Sequence, residues 1–259
     1  MMRSSNPAMN SAALSKIGRV AESEAMTIQG SVNRTLTLLF LVMMPAYWAW
    51  NQVMQSIAYS FNQTGQTSLP SNFYPMAIGF GIGAFILALI TIFKKEWSMF
   101  TAPLYALCEG FVLGIISAIF ELQYPGIVVQ AISLTFGTLF ALLMIYKTGI
   151  IKVTNKFRLG VVAATGGIAL IYFLSFVMSF FGARIPLIHE ATPLGIGFSL
   201  VVIAIAALNL ILDFDFIEKG SERGLPRYME WYAAFGLMVT LIWLYFEILR
   251  FLAKIRSRR

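Results

Sequence analysis

The sequence predicts an all-α integral membrane protein built as a bundle of seven transmembrane helices. Its composition is 58% hydrophobic and only 12% charged, whereas a soluble domain carries about 25% charged residues. Seven apolar stretches follow a polar start, and each is close to the roughly 20 residues that a helix needs to cross a bilayer. Backbone groups in lipid must be satisfied within their own segment, so these stretches are helices rather than open strands.

The predicted helices divide the chain into a polar N-terminal tail (1–33), a transmembrane domain (34–253) and a basic C-terminal tail (254–259). The first tail is rich in Ser and Ala and lacks the apolar core of a signal peptide, which predicts a cytoplasmic segment. The seven predicted helices are Arg34–Met54, Tyr74–Phe93, Met99–Phe120, Gly126–Tyr146, Leu159–Phe181, Pro193–Phe216 and Met229–Ala253.

Proline and glycine give the first three helices their individual features. Pro45 removes one backbone donor from the first helix and predicts a kink there. The second helix carries Gly79 and Gly83, and the third carries Gly110 and Gly114. Small residues at this spacing allow close contact between membrane helices, so packing is the role predicted for them.

The basic residues between the helices lie in alternate loops, after the second, fourth and sixth helices, with Arg184 in the loop after the fifth as the exception. Cytoplasmic loops are enriched in Lys and Arg, which predicts a cytoplasmic N-terminus in the cell inner membrane. Seven crossings then place the basic C-terminal tail outside, against the same rule. Either the early loops dominate, or the last segment is re-entrant; seven crossings are the favoured prediction. The loop residues are Lys94, Lys95, Lys147, Lys152, Lys156, Arg158, Lys219, Arg223 and Arg227.

Several classes of protein are excluded by composition. Cys108 and His189 are the only Cys and His, so disulfides, thiolate clusters and paired-imidazole sites are ruled out. The glycines around Gly79–Gly83 lie within an apolar helix without a preceding strand, unlike a nucleotide-binding loop. We expect no enzymatic activity and no resident cofactor. The net charge of +7 comes from basic residues between the apolar stretches, where membrane topology explains them. No nucleic-acid partner is therefore expected.

Five carboxylates lie within or at the ends of the apolar stretches. A charged side chain costs several kcal/mol in hydrocarbon and persists there only if it is paired, protonated or hydrated. Unpaired acids at membrane depth therefore point to cation or proton handling. These residues are Glu109, Asp213, Asp215, Glu230 and Glu247.

The end of the sixth helix concentrates polar groups. Asn209 and Asp213 are four residues apart and share a helix face. Asp215 lies at the membrane boundary, where Lys219 at i+4 can pair with it. Glu230 opens the seventh helix on the same side and either faces Asp213 or favours the helix dipole.

The remaining two acids lie on the third and seventh helices. Glu109 is the deepest, and the neighbouring Gly110 and Gly114 leave room for a partner helix or for water. It is either a proton-linked ligand or a neutral packing residue. Glu247 and Arg250 are spaced i,i+3 and are predicted to form a structural ion pair.

Almost the whole chain resembles the transmembrane Bax inhibitor motif family, in its bacterial YccA-like branch. The resemblance is carried by LNLILDFDFIEKG, MEWYAAFGLMVTLIWLYFEILRFL, APLYALCEGFVLGIISAIFE and YPGIVVQAISLTFGTLFALLMIYKTGI. It implies a last helix surrounded by the other six. It also implies a pH-sensitive calcium leak, gated by two aspartates that share a proton. Asp213 matches the sixth-helix aspartate, but the seventh-helix position falls at about Thr240, and the second helix lacks the basic residue of some members.

Two functions of different class follow. The first is a pH-sensitive cation leak with Ca²⁺ as the permeant ion, since hard cations prefer oxygen ligands. Its ion- or proton-linked residues would be Asp213, Glu109, Glu230, Asn209 and Asp215, with Asp213 and Glu109 as the possible Ca²⁺ ligands. The second is a non-conducting regulator that binds a membrane protease or another membrane complex through its N-terminal tail. In both, the lipid bilayer is the surrounding partner.

Overall fold

The computed structural model describes residues 24–65, 73–182, 188 and 190–258. The described residues form seven α-helices and no strand beyond the isolated bridge between Ala25 and Pro226, which confirms the all-α prediction. The predictions for residues 1–23 and for His189 lie outside this part of the chain. The helices are α1 Ile28–Thr64, α2 Phe73–Phe93, α3 Ser98–Gln123, α4 Ile127–Lys147, α5 Asn155–Phe180, α6 Pro193–Glu222 and α7 Met229–Arg256.

Six of these helices, α2 to α7, are long and apolar enough to cross a membrane. The chain is therefore a multi-pass membrane protein. The most apolar window of α7 is 78% buried, whereas those of the other five are 11–44% buried. The last helix is thus the most enclosed of the six.

The first helix extends beyond its predicted bounds at both ends. It begins at Ile28, where the Thr27 side chain accepts a hydrogen bond from the Gly30 amide, and it ends before Gly65 in the left-handed conformation. Residues 28–33, assigned to the tail, and 55–64, assigned to a loop, are therefore helical. The apolar run of α1 is interrupted around Asn51, and α1 is not among the six helices above.

Helix α1 nevertheless packs in parallel along α3. A Cβ on Gly110 would overlap the Val42 carbonyl, and one on Gly114 would overlap the Ala46 carbonyl. The residue numbers rise together on the two helices, from Val42 and Gly110 to Ala46 and Gly114, so the helices run in the same direction. Farther along α1, a buried cluster continues the contact. Helix α1 thus lies along a helix that is long and apolar enough to cross, while the seventh crossing stays a prediction. The cluster contains Ala49, Val53, Ile57, Phe73, Ile115 and Ala118.

The two pairs of helix glycines differ in their packing. Gly110 and Gly114 make the close helix contact that their spacing predicts. On α2 that prediction is wrong: a Cβ on Gly79 would meet nothing within 4 Å, and one on Gly83 would be 3.9 Å from the Cys108 sulfur, an ordinary contact. The same spacing therefore has a packing role only where another backbone lies against it.

The helices group into two compact units. One, the α1–α3 unit, contains those three helices, the loop after α6 and the N-terminal part of α7. The other, the α4–α6 unit, contains α4, α5, nearly all of α6 and the C-terminal part of α7. Helix α7 thus contributes residues to both.

The C-terminal part of α7 ends beside the starts of α4 and α6. Lys254 is buried and donates hydrogen bonds to the Gly195 carbonyl and the Ser199 hydroxyl, both at 3.0 Å. Arg256 donates to Gln130 at 3.0 Å. Both residues were assigned to the C-terminal tail but belong to a continuous 28-residue helix. Such a helix, ending where α4 and α6 begin, favours a complete crossing over a re-entrant segment.

Candidate functional site

Asp213 is a buried acid on α6 with an oxygen that lacks a partner. Its side chain is hydrogen-bonded to Thr240 on α7, and the residue is only 8% exposed. The Oδ2 atom is buried and has no hydrogen-bond partner, and no ion pair involves Asp213 within the described ranges. Buried polar atoms are nearly always paired, so an orphaned oxygen is a place for a proton, a water or a cation.

Asn209 lies one turn before Asp213 and links α6 to α5. Its amide nitrogen donates to the Thr165 hydroxyl and to the Ile205 carbonyl, both at 2.8 Å. These bonds orient the side chain and occupy its two N–H donors. The amide oxygen is the atom that suits a ligand role, because it is an acceptor.

Asp215 is 4% exposed and forms an ion pair with Arg158 in the first turn of α5. The cation in this salt bridge comes from another helix and was not predicted, while the pairing of Asp215 with Lys219 stays a prediction. A structural role suits this ion pair, because removing either partner would leave the other with an uncompensated charge and destabilise the fold.

Glu230 fixes the start of α1 within the α1–α3 unit. Its Oε1 accepts hydrogen bonds from the Thr27 amide at 3.0 Å and the Thr27 hydroxyl at 2.9 Å, and its Oε2 lies 3.9 Å from Arg34 Nε. A Cβ on Gly30 would overlap the carboxylate. Glu230 is thus a bonded anchor and more than a favourable charge at a helix start. Its predicted place beside Asp213 stays a prediction.

Glu109 is half-buried on α3 and takes part in no ion pair within the described part of the chain. The space that Gly110 and Gly114 leave is filled by the backbone of α1. Of the two occupants that the sequence allowed, a partner helix or water, the helix is the one present. The choice between a proton-linked role and a packing role for Glu109 stays open.

Glu247 and Arg250 form the predicted ion pair, with 3.4 Å between Oε1 and Nη1. Tyr172 on α5 joins them: its hydroxyl donates to Glu247 at 2.9 Å and accepts from Arg250 at 3.0 Å.

Sequence reasoning missed Tyr172, Arg158 and Lys254 because their partners lie on other helices. A hydroxyl within an apolar stretch is the feature that could have indicated Tyr172.

Within the described ranges, no three His, Cys, Asp or Glu side chains form a group that could hold a metal ion. The assignment of Asp213 and Glu109 as calcium ligands stays a prediction.

Comparison with known families decides what kind of membrane protein this is. The family model described as Bax inhibitor 1 like matches residues 6–257. The chain belongs to the Bax inhibitor 1 like family. No curated protein and no solved structure matches it. The assignment to the bacterial YccA-like branch stays a prediction.

In this Bax inhibitor-like chain, Asp213 is hydrogen-bonded to the hydroxyl of Thr240, which occupies the position where the resemblance implies a second aspartate. The hydrogen bond between Asp213 and Thr240 agrees with the placement of Thr240 at the seventh-helix position. A hydroxyl can donate to the carboxylate but cannot share its charge. One acid and one hydrogen-bond donor thus lie together here, and the choice of Glu109 or Glu230 as a substitute for the second aspartate stays open.

Proposed function

We propose that this Bax inhibitor-like membrane protein is a pH-sensitive cation leak with Ca²⁺ as its permeant ion. The observation that supports it is the buried Oδ2 of Asp213, which has no hydrogen-bond partner in the described part of the chain. Asp215, Glu230 and Glu247 are each paired with an arginine. Asp213 is therefore the buried acid best suited to exchange a proton for a cation.

The proposed mechanism is competition between a proton and a cation for one carboxyl group. An ionised Asp213 offers oxygen ligands of the kind that Ca²⁺ prefers, while a protonated one offers a weaker acceptor and no charge. The hydroxyl of Thr240 orients the group, and the amide oxygen of Asn209 supplies a neutral ligand one turn away. Glu109 is a second acid that can act in the same way. This mechanism involves no chemical step.

The leak is tested by calcium flux into proteoliposomes that contain the purified protein. We expect flux above that of protein-free vesicles and a fall in flux as the pH is lowered from about 8 to about 6. A carboxyl group buried away from water holds its proton at higher pH than an exposed one, and a bound proton excludes the cation. A protein that passes no cation at any pH would contradict the leak.

A non-conducting regulator is the alternative, and the anchoring of the N-terminal segment favours it. The Met26 amide donates to the Leu225 carbonyl at 2.6 Å, and the Arg227 amide donates to the Glu24 carbonyl at 2.9 Å. The segment before α1 is thus held against the loop between α6 and α7, a suitable place to present a docking tail. Deletion of residues 2–23 keeps this anchor. We expect it to leave calcium flux unchanged, whereas a docking function would be lost.

We further propose that the protein lies in the cell inner membrane with its N-terminus in the cytoplasm. The support for this orientation is that the segment before α1 is hydrogen-bonded to Arg227, which belongs to the basic loop between α6 and α7. Basic loops are enriched on the cytoplasmic side. Single cysteines introduced into a Cys108→Ala background test this. We expect a thiol reagent that cannot cross membranes to label position 66 in intact cells and position 152 only after permeabilisation. The reverse pattern would invert the topology.

A further inference from the structure

A polar pocket of about 410 Å³ opens at the start of α1, in the α1–α3 unit. Two arginines and two side-chain amides line it, against a single acid whose carboxylate is already bonded to Thr27. The lining therefore carries a net positive charge, and its two amides are linked by a hydrogen bond from Gln29 Nε2 to Asn33 Oδ1 at 3.0 Å. The lining residues are Ala25, Thr27, Gln29, Gly30, Asn33, Arg34, Arg227 and Glu230.

The guanidinium of Arg34 is held in place while keeping donor capacity. It lies 4.8 Å from the centre of the Trp231 ring, and its Nε is 3.9 Å from Glu230 Oε2. That Nε is buried and has no hydrogen-bond partner among the residues that the structure describes. The Arg34 side chain is 33% exposed, and its two terminal nitrogens make no hydrogen bond within the described residues. Those terminal N–H groups, rather than the buried Nε, suit bidentate binding of a phosphate group.

Arg227 supplies a second cation to the pocket, from the loop between α6 and α7. Its backbone is fixed by the hydrogen bond to the Glu24 carbonyl, and its side chain is exposed. Glu230 offsets the charge of Arg34, so Arg227 provides the net positive charge that attracts an anion.

We infer that this pocket binds the phosphate of an anionic phospholipid. Ile28, Val32 and Leu36 follow each other at one-turn intervals on α1 and are 51%, 42% and 60% exposed. This apolar row runs beside Gln29 and Asn33 of the pocket, because neighbouring residues are about 100° apart on a helix. A lipid can therefore place its phosphate at the arginines and its acyl chains along the row. Basic pockets at membrane ends recognise such headgroups. The inference is independent of the proposed leak.

Thermal unfolding of the full chain in an uncharged detergent tests the inference. We expect saturating phosphatidylglycerol to raise the Tm by about 5 °C, as a ligand that binds only the folded state does. Phosphatidylcholine with the same acyl chains should leave the Tm unchanged. Inorganic phosphate should raise it by less than half as much, because it gains nothing from the apolar row. Equal shifts with phosphatidylcholine would overturn headgroup recognition, and an equal shift with phosphate would overturn the lipid as its source.

Two pocket variants and one matched control locate the effect. Arg227→Gln removes the exposed cation, and Gln29→Glu places a repelling charge in the pocket while favouring the start of α1. Both should lose at least half of the shift with phosphatidylglycerol. Arg223→Gln removes an equally exposed arginine from the same loop outside the pocket and should keep the full shift. Equal shifts in all three variants would overturn the site.

Discussion

Asp213→Asn is expected to remove most of the pH dependence of calcium flux while leaving the protein folded. Asparagine has the shape of aspartate and still accepts a hydrogen bond from Thr240, but it cannot ionise. The change of flux in proteoliposomes across about pH 6 to pH 8 should become small, because no proton then competes with the cation at this position. Flux and thermal unfolding should be measured on the same preparation, so that a folding defect is recognised.

Two further acids serve as comparisons for Asp213. Glu222→Gln neutralises an exposed acid at the end of the same helix and should conduct like the parent at every pH. Glu109→Gln separates the two interpretations of that residue: altered flux assigns it to the cation path, and parental flux assigns it to packing. If Asp213→Asn keeps the parental pH profile, Asp213 is not the titrating site.

Gly114→Ala is expected to cause a large loss of stability. The added Cβ would overlap the Ala46 carbonyl and lie 2.9 Å from the Ala49 Cβ. Backbone cannot yield as a flexible side chain does, so α1 and α3 must separate along their contact. Overpacking of this kind costs about 1–3 kcal/mol, and we expect the Tm to fall by roughly 5 °C.

Gly79→Ala is the matched control for this effect. It makes the same chemical change in a membrane helix, where a Cβ would meet nothing within 4 Å. Alanine is the better helix former by about 0.5–1 kcal/mol, so the Tm should stay or rise slightly. If both variants unfold alike, close contact between α1 and α3 is not what Gly114 provides.

The positions of the helices were predictable from the sequence because they depend on local composition. The predicted start of α6 at Pro193 and of α7 at Met229 agree with the structure, since each follows a polar loop. The largest error was the length of α1. Its polar C-terminal turns, around Asn62, resemble a loop in composition but continue the helix to Thr64.

The partners of the polar residues were not predictable in the same way. The i,i+3 spacing of Glu247 and Arg250 predicted their pair, because both lie on one helix. No such spacing connects Asp215 to Arg158, or Glu230 to Thr27. Those contacts depend on how helices pack, which one sequence without homologues does not specify. The sequence therefore identifies the polar residues within the apolar stretches, while helix packing determines the partner of each one.

The network at the C-terminal part of α7 has a consequence for biosynthesis. Glu247 and Arg250 lie within the apolar part of α7, and Lys254 follows at its end; a cation at the centre of a lone helix would cost about 2.5–3.5 kcal/mol, and less toward the end. Their partners lie on helices that the ribosome completes first: Tyr172 on α5, and Gly195 and Ser199 on α6. These polar partners are therefore synthesised before the last helix emerges. Without them the ionisable groups of α7 would have no partner on another helix, so we expect insertion of α7 to depend on the earlier assembly of α5 and α6.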